Sequence, residues 1–139
     1  MMNDVEASRD ERLIVKPQEL PALPHHAESD LPAAYGPRLL HLSAQQVEGA
    51  DLFITSRTIT ELAEPAEPNV QPHRHSVSQT YLLLGPEETG LEVEVEIEGQ
   101  RSVTRAPASI FVPAGALHVI RVLRGTGTLM SVVRSGVYE

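Results

Sequence analysis

The chain contains no cysteine. That excludes disulfides, thiolate zinc sites and a cysteine nucleophile. Tryptophan is also absent, and only 4% of residues are aromatic. So little aromatic surface argues against a stacking platform for single-stranded nucleic acid or long sugars. Bases are outnumbered, 11 against 19 acids, for a net charge of −8. Non-specific binding to nucleic acid or to an acidic membrane needs a basic footprint, so neither is expected as a partner. No apolar run approaches the length that spans a bilayer. The opening Met1-Met2-Asn3-Asp4-Val5-Glu6 is charged where a secretion signal would be apolar. The expectation is a soluble, cytoplasmic protein, with 139 residues forming one domain around one core.

Histidine is where the sequence concentrates its chemistry. Of six histidines, three fall in two short pieces. The first is Pro72-His73-Arg74-His75, followed by Gln79, and the second is Pro113-Ala114-Gly115-Ala116-Leu117-His118. Successive side chains on a strand alternate faces, so His73 and His75 point the same way and Arg74 the other. Two imidazoles aimed into one space, joined by a third from another strand, make a facial set of metal ligands. Neutral imidazole suits zinc, iron, nickel and copper. Taken alone, an H-x-H pair is a weak signal, and buried strand histidines bonded to backbone are the favoured account. The second piece, a Pro-x-Gly turn that launches a strand with His118 near its start, strengthens the metal reading. His25-His26 does not qualify, because neighbours on an extended chain face opposite ways; a solvated arm is the simpler account.

The rest reads as a β scaffold. Residues 1–37 carry Pro17, Pro21, Pro24, Pro32 and Pro37, so no helix runs through them. They are expected to form an extended arm that leans on something else, with Leu13-Ile14-Val15 as the piece able to pair as a strand. Residues 38–139 form the barrel domain. Strands are expected over Arg38 to Leu42, Asp51 to Leu62, Tyr81 to Leu84, Leu91 to Glu98, Ser109 to Val112, Leu117 to Leu123 and Leu129 to Val133, with Arg124-Gly125-Thr126-Gly127 as a turn. Ser43 to Gly49 is turn-like. The clearest pattern is Leu91, Val93, Val95 and Ile97 alternating with Glu92, Glu94, Glu96 and Glu98, one dry face and one wet. That alternation makes the four glutamates a solvated face rather than acid catalysts. A Gly99-Gln100 loop would set Arg101 opposite Glu98 and Arg105 opposite Glu94. Short strands with glycine and proline turns indicate a sandwich or barrel.

These residues resemble the cupin superfamily. His73-Arg74-His75, then Gln79 and Gly85, are similar to its first motif, and Pro113, Gly115 and His118 to its second. The likeness covers roughly residues 50 to 135. It implies an all-β fold, an antiparallel jelly-roll barrel with a metal site inside one open end. The implied ligands are His73, His75, His118 and Gln79, where Gln79 replaces the family's glutamate. Gln79 could instead bond a ligand or a buried backbone group and never touch metal. Pro107 and Val122 also depart from the motifs, in places that concern turns and packing.

What the resemblance implies for function is a divalent ion (iron, manganese, zinc or nickel) held by three histidines. Three protein ligands leave positions open for substrate. A metal-dependent dioxygenase or isomerase acting on a small anionic, oxygen-bearing metabolite is the leading expectation. The alternatives are a non-catalytic binding or sensing module and a structural domain with a dead site. Tyr81 is the aromatic hydroxyl nearest the first motif; it reaches the pocket side if its strand continues without a bulge, and core packing is an equal alternative. The arm and the apolar Tyr81-to-Leu84 run suggest a two-fold homodimer.

Overall fold

The computed structural model describes residues 12–20, 23, 31–65 and 71–138. Among these residues eight strands follow one another: β1 (Gln18–Glu19), β2 (Leu39–Leu42), β3 (Phe53–Leu62), β4 (Gln79–Leu84), β5 (Glu92–Ile97), β6 (Gln100–Arg105), β7 (Ala108–Val112) and β8 (His118–Val133). A 3-10 turn over Glu87–Thr89 is the one helical element named among the described residues. It is far too short to cross a membrane. Every named strand pair is antiparallel. The fold is the all-β jelly-roll barrel that the cupin resemblance implies.

Strand β8 holds the barrel together, and it corrects one expectation. Arg124-Gly125-Thr126-Gly127 is not a turn; β8 runs unbroken through it for 16 residues. Its first half pairs with β5, from Ile97↔His118 to Glu92↔Arg124. Its second half lies between β3 and β4, with Val133 opposite both Phe53 and Gln79. One strand thus belongs to both layers, and the glycines serve the bend between them. Gly125 has φ +103°, and a Cβ there would stand 2.0 Å from the Gly90 carbonyl oxygen. A Cβ on Gly127 would lie 2.7 Å from the Leu84 carbonyl oxygen. The glycines mark close backbone approach inside a strand, a use that looks like a turn in sequence. Thr126 adds fixings: its carbonyl accepts from the Thr89 hydroxyl at 2.9 Å, and its own hydroxyl accepts the Glu61 amide at 2.8 Å.

The β5–β6 hairpin has the predicted dry face, with Leu91, Val93 and Val95 buried. Its loop sits one residue earlier than expected. The pairs are Ile97↔Gln100, Glu96↔Arg101 and Glu92↔Arg105, so Arg101 does not oppose Glu98 and Arg105 does not oppose Glu94. Glu98 and Gly99 are the loop residues, at φ 49° and 81°. A two-residue hairpin turn favours left-handed backbone at both central positions, and glycine takes the second most easily. The shift moves each arginine two positions along the same face, so opposite charges still meet. Arg101 reaches Glu96 at 3.5 Å, and Glu92 is paired instead with Arg124.

The arm also differs from expectation. Leu13-Ile14-Val15 forms no strand, and Leu13 and Ile14 are exposed. Gln18–Glu19 pairs instead, with Leu39 and Leu40 of its own chain, and the Leu20 amide bonds the Arg38 carbonyl at 2.9 Å. Leu20 and Leu23 then pack on Leu40, Phe53 and Val133. His25-His26 lies outside the described residues.

The main core fills the barrel with Ile59, Tyr81, Leu83, Leu91, Val93, Val95, Val112, Ile120 and Val122. Val122 is thus a packing residue opposite Val93. Gly125→Ala should destabilise the fold by at least about 2 kcal/mol in chemical denaturation, since a buried carbonyl blocks the new methyl. Gly99→Ala, with φ 81° and nothing within 4 Å, should cost only about 1 kcal/mol of backbone strain.

Candidate metal centre

His73 and His118 exchange backbone bonds, each amide donating to the other's carbonyl at 3.0 Å. His118 opens β8 with Ile97 on its other side, so this bridge fixes the first histidine piece beside the second. The Gly115 amide then donates to the His75 carbonyl at 2.8 Å. His75 is not in a regular strand, yet the expected alternation survives. His73 and His75 are buried while Arg74 is exposed. Arg74 contributes from outside: its guanidinium bonds the Gly115 carbonyl at 2.8 Å and pairs with Glu98 at 3.0 Å. Glu98 in turn accepts the Leu117 amide at 2.6 Å, the largest of the influences that lower its pKa. The loop glutamate and the outward arginine therefore brace the turn that carries His118.

The three imidazoles converge. Their ring centroids stand 4.6 to 5.2 Å apart, and one nitrogen from each lies within 4.8 Å of the others. Two rings are oriented by backbone. His73 Nδ1 donates to the Gln71 carbonyl at 2.7 Å, and His118 Nδ1 to the Ala116 carbonyl at 2.9 Å. A neutral ring that donates from Nδ1 keeps its lone pair on Nε2, the arrangement of a metal-binding histidine with its supporting bond made. His73 Nε2 lies 3.1 Å from His75 Nε2. His118 Nε2 is fully buried and has no hydrogen-bond partner among the described residues. A buried, unpartnered acceptor is costly, and a bound cation would satisfy it. The donor set fits a divalent metal: three buried imidazoles each bring a nitrogen to one space, and two of them have Nε2 set inward by an Nδ1 bond. Burial holds the His118 pKa below the ordinary imidazole value, against the opposing pull of the Ala116 carbonyl.

Gln79 opens β4, buried, on the same face as Tyr81 and Leu83. Its amide nitrogen donates to Ser131 Oγ at 2.7 Å, while Oε1 is buried without a partner among the described residues. Tyr81 continues the strand without a bulge, and its ring stands 6.3 Å from that of His118. It is buried, and burial raises its pKa.

Two residues at the site drew no attention in sequence. Tyr138, near the end of the chain, places its hydroxyl 3.2 Å from His73 Nε2, with its ring 4.9 Å from that of His75. Arg38 is buried beside β2, near enough to Tyr138 and Arg57 to feel their charges. Burial and then Arg57 bring its pKa down to about 10, while burial pushes the Tyr138 phenol up to about 12. The parity of Arg38 with the core residue Leu40 was a usable signal. Tyr138 had none, because the chain returns to the site only in three dimensions.

No family model matches the chain, and no curated protein matches it. Solved structures do match. An RmlC-like cupin from Shewanella frigidimarina NCIMB 400 is 21% identical over 90% of this chain and 97% of its own, with a TM-score of 0.51. KdgF from a Halomonas species is 16% identical over 80% and 86%, with a TM-score of 0.53. The Fe(II) form of HppE is 12% identical over 85% of this chain and 55% of its own, with a TM-score of 0.52. At these identities the likeness is one of fold.

The depressed His118 pKa has a consequence for the metal-free protein. The folded state binds this proton less well than the unfolded chain does, so stability is full above the unfolded value of about 6.5 and falls as pH drops through the lower folded value. Denaturation midpoints measured from pH 7.5 to 5 should decline, and His118→Gln should flatten part of the decline.

Proposed function

We propose that this cupin-fold chain binds a divalent metal through His73, His75 and His118 and acts on a small anionic, oxygen-bearing metabolite, as a dioxygenase or isomerase. The observation that carries this reading is the convergence of three buried imidazoles, with His118 Nε2 buried and unpartnered among the described residues. That a protein of the same fold, HppE, carries Fe(II) supports iron as the first metal to test. The ion would supply Lewis acidity, a template for chelation and, for iron or manganese, redox chemistry.

The chain's own residues then have defined tasks. Three neutral nitrogens leave the charge of a divalent ion uncompensated, and the neutral Gln79 amide does not change that. An uncompensated double charge in a partly dry barrel is unfavourable, so an anionic chelator is favoured there. Arg74 and Arg121 do not serve as its anchor. Arg74 is turned to Glu98 and the Gly115 carbonyl, and Arg121 sits opposite Glu94 in the register of β5 and β8. Arg38 is placed differently. It is a buried cation close to Tyr138, so positive charge also comes from the wall, and the ion is not alone in attracting the ligand. Tyr138, whose hydroxyl stands 3.2 Å from His73 Nε2, is the phenol at the site.

A second reading, a non-catalytic binding module, draws on the composition of the cluster. Among the described residues no aspartate or glutamate joins the three histidines. Oxygen consumption or product formation with a panel of small acids separates the two readings.

A homodimer is part of the proposal. Half of the apolar β4 run faces out, with Leu84 exposed, and edge strand β7 exposes Phe111 opposite Thr80. Sedimentation at micromolar concentration should give a dimer that Phe111→Ser weakens; a monomeric wild type would remove this part.

Metal at about a hundred times its dissociation constant should add roughly 2.7 kcal/mol of stability. For a domain of this size that is a melting shift on the order of 10 °C. Chelation should reverse the shift, and His73→Ala and His118→Ala should each abolish most of it. Equal melting with and without metal, together with no metal by elemental analysis, would refute the site.

Gln79→Glu should tighten the metal and loosen the anion, because the protein then supplies the missing charge. Titration of oxalate, pyruvate and 2-oxoglutarate into both forms measures this. A wild type that prefers neutral diols, or two unchanged affinities, would put Gln79 outside the coordination sphere.

A further inference from the structure

We propose that Tyr138 is the fourth protein ligand of the metal, binding through its phenolate oxygen in the place where the first motif would have led one to seek an acid at position 79. The inference rests on the three-histidine metal reading and concerns a residue that neither histidine motif contains.

The argument begins with how the tyrosine arrives. After β8 ends at Val133, the chain does not leave the barrel. The Arg134 amide donates to the Ser78 carbonyl at 3.1 Å, and the Ala44 amide donates to the Gly136 carbonyl at 2.8 Å. Gly136 is pressed so closely against the 44–50 turn that a Cβ there would stand 2.3 Å from the Ala50 carbonyl oxygen. The closing segment is therefore a strap, fastened at two points, that lays Tyr138 across the histidines. The ring is seated on both sides, 5.6 Å from Phe53 and 4.9 Å from His75.

The oxygen then stands where a ligand atom should. Bonds from a metal to nitrogen or oxygen ligands run about 2.0–2.2 Å, so neighbouring ligand atoms at near right angles lie about 3 Å apart. His73 Nε2 to His75 Nε2 is 3.1 Å, and His73 Nε2 to Tyr138 Oη is 3.2 Å. The phenol oxygen thus keeps the same spacing from His73 as the second imidazole does. Gln79 offers its unpartnered Oε1, but that oxygen is neutral and brings no charge to the ion. A phenolate would bring the negative charge that the three imidazoles lack, and the charge of Arg38 offsets part of the burial that disfavours it. On binding, the O–H proton leaves to solvent as the oxygen–metal bond forms, with no change of oxidation state.

Iron tests this directly. The full-length protein is loaded with ferrous iron under argon, oxidised with ferricyanide and desalted, and its iron content is measured. Wild type should show a visible phenolate-to-iron charge-transfer band whose resonance Raman spectrum carries tyrosinate ring modes. Tyr138→Phe keeps the ring between Phe53 and His75, so its metal-free melting temperature should stay close to wild type while the band is lost. Tyr81→Phe should keep the band. If wild type holds iron but shows no such band, or Tyr138→Phe retains it, Tyr138 is not a ligand and the three-histidine reading stands. If wild type holds no iron, manganese, zinc or nickel, the metal reading falls and takes this inference with it; the metal content tells the two failures apart.

Discussion

Two backbone hydrogen bonds between His73 and His118 set the geometry on which the rest of the site depends. They join a loop segment to the first residue of β8. On its other side His118 pairs with Ile97 of β5. With the bridge made, the alternation of an extended chain turns His75 inward alongside His73 and sends Arg74 out to Glu98. The main chain orients the rings as well as placing them. Gln71 and Ala116, each two residues before a histidine, accept its Nδ1 proton and leave Nε2 for the pocket. Local carbonyls of this kind orient a ring at little entropic cost, because histidine and acceptor belong to the same short segment.

The barrel interior is divided by polarity. Toward Leu91, Val93, Val95 and Val122 it is a packed aliphatic core. Around the histidines it holds Arg38, Gln79, Ser131 and Tyr138, polar groups that need partners or a ligand to justify their burial. Gln79 meets half of its requirement through Ser131, and His118 Nε2 meets none among the described residues. Sites of this kind combine apolar walls with a few convergent polar atoms. Here those atoms are nitrogens with lone pairs, phenols and a guanidinium, a combination suited to a cation with an anion bound to it.

The strand that carries His118 also explains how so short a chain closes its barrel. By passing from the β5 layer into the β3–β4 layer, β8 ties both together without a separate connection. The bend needs backbone that approaches other backbone closely, and Gly125 and Gly127 provide it where any Cβ would collide. The same crossing puts Ser131 next to Gln79 and sends Val133 on toward the strap that ends in Tyr138.

The sequence by itself determined the elements whose cause is local. Alternation over residues 91–98 marks a half-buried strand because side chains alternate faces wherever the backbone is extended. The H-x-H pair and the Pro-x-Gly turn marked three histidines for one space for the same reason. Misreadings arose where one residue type answers two local needs. Glycine at 125 and 127 looks like a turn, yet serves close packing, and the hairpin loop was placed one residue late because Gly99 can take either loop position. Only the tertiary structure decided what depends on contacts between distant segments. The pairing of Gln18–Glu19 rather than Leu13-Ile14-Val15 depends on which residues meet the edge of β2. The burial of Arg38 depends on the strands that close over it. The placement of Tyr138 depends on where β8 ends and on what Gly136 packs against. A periodic pattern is written in neighbouring residues, whereas a contact across the barrel leaves no mark in either segment alone.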